Sequence, residues 1–416
     1  MAELTVHRFP FQMPNALADF DPAPFIEQSL KWVDSIVGSN EKVALSASGG
    51  VDSTTLAFLL KDVLGGRLRL FFINDGFRRI MDGREEYEVT ADMFKDFPHF
   101  EVIHTRDIVL PWFEGVQDGT MKREMFRSRY TITSNKHIAS LGADWIADGT
   151  IAPDIVMTDQ NRQIQHNVNL PYNMNKLEPL SSLYKPHVRR VAIHLGIPQD
   201  FAMRIPCPGP AQLLRVGGAF SAAKLQISKQ ASDIVEQRVR SWCTHNWGAS
   251  FHYDEATGVR TPFQYFGTCM DPEMELDADL SELASKALGS DVTCHRMKTQ
   301  GMWIDPSVKE QARKLYAPII WIQGPAIEHD SMIKLTEIIW TQKKLPRVLY
   351  EVFDSKNSGF PVGIKIVESE DVKTAWPMDV DFEYLRSMGE EIAAQTKASK
   401  VAFDISKRPP ATIELF

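Results

Sequence analysis

Chemistry is concentrated in residues 42–54, which read KVALSASGGVDST. The order Ser48-Gly49-Gly50-Val51-Asp52-Ser53 sets two hydroxyls and a carboxylate around two glycines. Without Cβ atoms the glycine backbone can approach an anion, and the neighbouring N–H groups and hydroxyls can donate to it. Asp52 and Ser53 fall where a following helix would begin, so its dipole favours an oxyanion there and the carboxylate suits the anion's cation. Ser46 and Thr54 flank the loop as further hydroxyls. No Gly-Lys-Ser/Thr follows, which excludes a Walker A loop. The chemistry indicated is the binding of a phosphate chain with a metal ion.

Such a loop works only if rigid elements hold it. Residues 42–46 read as a strand and the periodic run TLAFLLKDVL as a helix. Residues 67–74, RLRLFFIN, form a second near-continuous apolar run, as a buried parallel strand requires. Third and fourth strands are expected at 101–105 and 144–147, with helical patterns between them and a helix over 24–37 before the first. Strand and crossover recurring at this spacing predict an α/β fold with a parallel sheet covered on both faces. Ligands then bind at the carboxyl ends of the strands, so residues 48–53, 74–76 and 148–150 should meet in one crevice.

The chain divides into an irregular arm (1–23), this α/β domain (24–220), a linker helix with an insertion (221–289) and a C-terminal unit (290–416). The last contains a repeat. DSMIKLTEIIWTQKKLPRVLYEV (330–352) and EYLRSMGEEIAAQTKASKVAFDI (383–405) share a helix-then-strand pattern. Met332, Leu335 and Ile339 correspond to Leu385, Met388 and Ile392. Duplicated units of this kind bury their faces against each other or against a second subunit, which points to a homodimer.

Composition sets outer limits. The 416 residues are 44% hydrophobic and 24% charged, as in an ordinary globular protein. A net charge of −8 argues against a broad nucleic-acid footprint. Cys207, Cys243, Cys269 and Cys294 have no CxxC spacing, which suits free thiols in a reducing compartment. The N-terminus lacks a secretory pattern and no apolar run is long enough to span a bilayer, so a cytoplasmic location without a membrane partner is expected.

The Ser-Gly-Gly-x-Asp-Ser order resembles the PP-loop of ATP pyrophosphatases, which split ATP into AMP and pyrophosphate. Further stretches narrow this: DGTIAPDIV (148–156), QHNVNLP (165–171), EPLSSLYKPHVRRVAIHLGIP (178–198), RIPCPGP (204–210) and DISKRPPATIEL (404–415). Together they resemble GMP synthase, in its ATP-pyrophosphatase and dimerisation parts and without the glutaminase domain. The resemblance implies a parallel-sheet PP-loop domain of the adenine nucleotide alpha hydrolase type, followed by a duplicated α+β dimerisation domain. It also implies a reaction in which ATP and Mg²⁺ adenylate a purine nucleotide and ammonia then displaces AMP. Ser46, Ser48, Gly49, Gly50, Val51, Asp52, Ser53, Thr54 and Gly149 would hold ATP, with Arg79 at that end of the crevice and Asp52 at the metal. Lys185 matches a lysine near the phosphates, and Asp154 an aspartate beside the activated base. His166 lies in the segment that contacts the acceptor. Arg123, Arg215, Lys407, Arg408 and Glu414 match positions around the acceptor's phosphate, ribose and base.

Departures cluster on the acceptor side. The family's Ile-Lys-Ser-His-His-Asn-Val reads here Ile164-Gln165-His166-Asn167-Val168 after Gln163, so the lysine and one histidine are lost. The tyrosine of GTIYPD is Ala152, a glutamate after it is Met157, and PFPGP has become PCPGP, placing Cys207 beside the acceptor pocket. Three readings stay open: amination of XMP with ammonia from a separate glutaminase subunit, sulfur insertion into another purine through Cys207 and a sulfur donor protein, or a non-catalytic ATP-binding scaffold.

Overall fold

The computed structural model describes residues 5–159, 174–305, 314–371 and 373–415. Two sheets organise them. The first has six strands, all parallel, in the order β1-β6-β5-β2-β3-β4. These are β1 (Val6–Arg8), β2 (Val43–Ser46), β3 (Leu68–Asn74), β4 (Phe100–His104), β5 (Trp145–Ala147) and β6 (Asn175–Glu178). Strands β2 to β5 lie where the apolar runs predicted them. The central ones are buried on both faces, with Val43, Ala44, Leu45, Phe71 and Phe72 at 0–1% exposure.

Crossovers supply the layers. Helices α1 (Pro22–Ile36), α2 (Val51–Leu64), α3 (Glu86–Met93), α4 (Gly119–Leu141), α5 (Ala152–Asp159) and α6 (Lys185–His194) separate the strands. Helix α1 starts where Asp21 accepts from Ala23 N at 3.0 Å and proline occupies the first turn. Its apolar face packs with α2 and α6 in one core (Phe25, Val33, Leu56, Leu60, Val188).

Two strands escape a hydropathy reading. The arm expected to be irregular carries β1, three residues at the sheet edge with little burial. Its neighbour β6 reads NKLE, and Lys176 and Glu178 are buried inside the sheet because they pair with each other at 2.6 Å. Charge pairing here replaces the apolar pattern that would have marked a strand.

Helix α7 (Ala222–Trp247) leads to the second sheet, ordered β7-β11-β12-β10-β9-β8 with two short strands added. These are β7 (Gln264–Cys269), β8 (Thr293–Ile304), β9 (Lys314–Gln323), β10 (Val348–Asp354), β11 (Val362–Glu368) and β12 (Lys400–Asp404). The repeat is legible in the topology: β9–α9 (His329–Lys343)–β10 and β11–α10 (Phe382–Thr396)–β12 are each a parallel crossover, joined where β10 and β12 pair antiparallel. Met332, Leu335, Ile339, Leu385, Met388 and Ile392 are all buried in one core within the chain, together with Val235 and Val239 of α7. The duplicated faces therefore bury each other. The insertion expected within 221–289 contributes β7 and α8 (Ala278–Leu288) to this unit.

Candidate active site

The loop after β2 turns sharply into α2. Gly49 has φ +79°, and a Cβ there would come within 3.0 Å of the Thr90 hydroxyl and 3.3 Å of the Glu86 side chain. Gly50 begins α2 without a side-chain cap, so N–H groups of the first turn stay available to a ligand. Ser53 Oγ sits 3.0 Å from Ser48 Oγ and accepts from Ser48 N at 3.1 Å, closing the loop into a ring of donors. From the neighbouring strand, Gly149 packs against this turn; a Cβ there would lie 3.1 Å from Ser53 N. Ser46 Oγ is 2.6 Å from Tyr130 OH on α4.

A cavity of about 370 Å³ opens over the loop. Ser46, Ser48, Gly49, Gly50, Val51, Asp52, Ser53, Arg79, Gly149, Asp154, Lys185 and Cys207 all line it. Lys185, first residue of α6, places Nζ 2.6 Å from Asp52 Oδ2. Asp52 Oδ1 is buried and has no hydrogen-bond partner among the described residues. Among the described residues there is no group of three or more His, Cys, Asp or Glu able to hold a metal. Asp52 thus offers one carboxylate oxygen at the cavity, a donor of the kind Mg²⁺ accepts, since that ion takes one or two carboxylates and completes its shell with water and phosphate oxygens.

The walls are charged. Arg79 is buried and pairs with Glu86 at 3.2 Å and Glu236 at 3.3 Å. Burial works against its charge, but Glu236 and Glu86 outweigh it and raise its pKa. Its guanidinium is thus committed to protein carboxylates. Across the sheet, Asp148 meets Lys176 at 3.2 Å, and Lys176 in turn joins Glu178. Burial raises the Asp148 pKa against the pull of Lys176. Cys207 is held as a thiol: burial raises its pKa, opposed by Arg215 and Arg79.

A second polar group lies under the C-terminal segment, beside β8. Arg215 grips Glu414 through Nε and Nη2 (3.2 and 3.0 Å) and stacks 3.9 Å from the Phe266 ring. Arg123 of α4 approaches Met302 Sδ at 3.9 Å and feels the charges of Tyr316 and Glu414, while burial lowers its pKa. The segment itself is pinned to β8: Met302 N donates to Leu415 O at 2.8 Å and Ile304 N to Pro410 O at 2.9 Å. Cys207 stands between the two groups, since its thiol lines the cavity and faces the charge of Arg215.

Several expected residues lie elsewhere. Thr54 is wholly buried behind the loop. Lys407 pairs with Glu337 at 2.6 Å, and Arg408 exchanges backbone bonds with Ala375 while burial lowers its side-chain pKa. Arg123, Arg215 and Glu414 form their own group outside the cavity lining. His166 and Gln163 fall outside the described residues.

Sequence reasoning missed Arg78, Glu86, Tyr130 and Arg204, all of which line the cavity. It also missed Arg347, which binds Asp404 at 2.6 Å and the carbonyls of Thr412 and Glu414 at 2.5 and 3.0 Å. None carries a motif. Only the arginine doublet after Gly76 and the arginine opening RIPCPGP were visible signals.

Comparisons with known proteins converge. The family model described as the GMP synthase C terminal domain matches residues 334–415. The chain is 30% identical over 404 residues to a subunit of the glutamine-hydrolysing GMP synthase of Sulfurisphaera tokodaii, covering 95% of this chain and 99% of that one. It is 26% identical over 401 residues to the same subunit from Methanopyrus kandleri, again over 95% and 99%. Among solved structures, an NMN synthetase from Francisella tularensis matches 46% of this chain and 77% of its own at a TM-score of 0.37 and 14% identity, too slight to bear on the argument. The near-complete match to the first relative settles the assignment: the chain belongs to the GMP synthase family.

Proposed function

We propose that the protein adenylates the base carbonyl of xanthosine monophosphate with Mg·ATP, releases pyrophosphate, and lets ammonia displace AMP to give GMP. The observation that carries this is the loop site: uncapped α2, Lys185 against Asp52, and a buried Asp52 oxygen without a partner among the described residues, all at the mouth of one cavity. Ser48, Ser53 and the α2 amides would receive the phosphates and Asp52 the Mg²⁺, which neutralises the leaving pyrophosphate when bound. Lys185 is in reach to take up phosphate charge once Asp52 turns to the metal. Adenylyl transfer needs positioning and charge neutralisation more than covalent help from the protein.

The acceptor's phosphate would be met by Arg123 and Arg215, with Glu414 toward the ribose or base and Asp154 beside the activated base. Ammonia would come from a separate glutaminase subunit, because the full-length relatives are themselves named as one subunit of a glutamine-hydrolysing enzyme. A homodimer and a cytoplasmic location belong to the same proposal; no helix among the described residues is long and apolar enough to cross a membrane. Sulfur transfer through Cys207 is disfavoured, because its pKa is pushed up and a protonated thiol is a poor nucleophile.

Exchange of labelled pyrophosphate into ATP, dependent on XMP and run without ammonium, tests the adenylation step. Exchange that appears only with XMP is expected. Exchange with no acceptor present, or none with XMP, would contradict the proposal.

A further inference from the structure

Two cationic side chains in the cavity have no protein partner among the described residues. Arg78 is 5% exposed and makes no hydrogen bond or ion pair with any of them; its Nε is buried and unpartnered. Phe72 lies beneath it, 5.5 Å from ring centre to guanidinium carbon, and the turn at Gly209 passes close to its Nη1. Arg204 stacks 3.6 Å over Phe201, again with no hydrogen bond or ion pair to a described residue, and its Nη1 is buried and unpartnered. Both line the cavity beside Cys207, on the β3 side of the loop.

A buried guanidinium with free donors is costly unless something anionic completes it. Arg79 shows the contrast, because Glu86 and Glu236 already satisfy it. The carboxylates whose charge reaches Arg78 are Asp75 from its own loop and Glu86 from α3; the uncharged Tyr130 hydroxyl from α4 and Cys207 thiol from the facing turn also lie near it, and none of the four bonds it. At the phosphate end, charge is handled separately by Lys185, Asp52 and the α2 amides.

We infer that Arg78 and Arg204 form an oxyanion subsite that binds the acceptor's base in its ionised form. This rests on the proposed function. A purine dione carries an acidic N–H between or beside its carbonyls, and loss of that proton spreads negative charge onto the ring oxygens. Free guanidinium donors favour that form and present its oxygen as the nucleophile. The ionised oxygen forms a bond to the α-phosphorus of ATP, the bond from that phosphorus to the bridging oxygen breaks, and pyrophosphate leaves with the electron pair. No proton moves in this step.

The test is the ultraviolet difference spectrum of XMP bound to the full chain, at a pH below the free base's own pKa, beside the affinities for XMP and IMP. The wild-type protein should shift bound XMP to the spectrum of the anion. Arg78→Met should leave it neutral and weaken XMP about 10- to 100-fold, with IMP, which lacks the dione, changed by no more than about threefold. Arg78→Lys should restore part of the shift. A neutral spectrum on the wild-type protein, or equal losses for XMP and IMP in Arg78→Met, would overturn the subsite while leaving the amination proposal standing. No XMP binding to the wild-type protein would overturn both.

Discussion

Lys185 Nζ and Asp52 Oδ2 lie 2.6 Å apart, so the first turns of α6 and α2 meet across the mouth of the cavity. Two helix N-termini thus face the same space, and a cation and an anion hold them in register until a ligand claims both. The pair is about a quarter to a third exposed, so its worth to stability is small. Under the proposed function its value lies in phosphate and metal handling.

The first prediction follows from that pair. Asp52→Asn keeps the shape but removes the charge that would hold Mg²⁺, and should cut pyrophosphate release about 100- to 1000-fold with little change in unfolding midpoint. Near-normal turnover in a pyrophosphate release assay would show that the metal is held elsewhere.

Arg347 should govern the C-terminal segment. It is 2% exposed, and it ties Asp404 to the backbone at Thr412 and Glu414. Arg347→Met would leave Asp404 and two carbonyls short of a donor, so urea unfolding should show a loss of about 3–5 kcal/mol. The KM for XMP should rise more than that for ATP, because Glu414 and Arg215 lose their anchor. Equal effects on both substrates would contradict this coupling.

These two cases mark what was legible in the sequence. The tight turn into α2 was, because glycine, hydroxyl and carboxylate act locally and sit within six residues. Strands β2, β3 and β5 were, because buried parallel strands leave unbroken apolar runs. Strand β6 was not, since Lys176 and Glu178 satisfy each other only once the sheet exists. Arg347 and Glu236 were not either, because their partners are 57 to 67 and 157 residues away in the chain. The repeat was visible, but which surface covers its apolar faces depended on α7 and the sheet.

Cys207 should behave as a packing residue. Burial holds its pKa up, so the thiol stays protonated at neutral pH. Cys207→Ser should keep amination within about threefold, and alkylation by iodoacetamide should be slower than for a free thiol. Loss of turnover on this substitution, together with rapid alkylation, would revive a sulfur-transfer role.

Lys122 offers a pH signature. It is fully buried, donates to Val216 O and Gly218 O, and burial with Lys224 nearby lowers its pKa to about 7. Its folded pKa lies below the unfolded value of roughly 10.4, so between those limits the unfolded state binds more protons and stability rises with pH. Relative to Lys122→Met, the wild-type protein should therefore gain up to about 1.4 kcal/mol per pH unit above pH ~7. Urea titrations of both at neutral and alkaline pH check the sign; a flat difference would contradict it.

The most direct measurement supplies Mg·ATP, XMP and ammonium to the chain without any glutaminase, and identifies products by mass. The account predicts GMP, AMP and pyrophosphate in equal amounts. Pyrophosphate release that ignores XMP, or XMP left unchanged while another nucleotide is consumed, would contradict it.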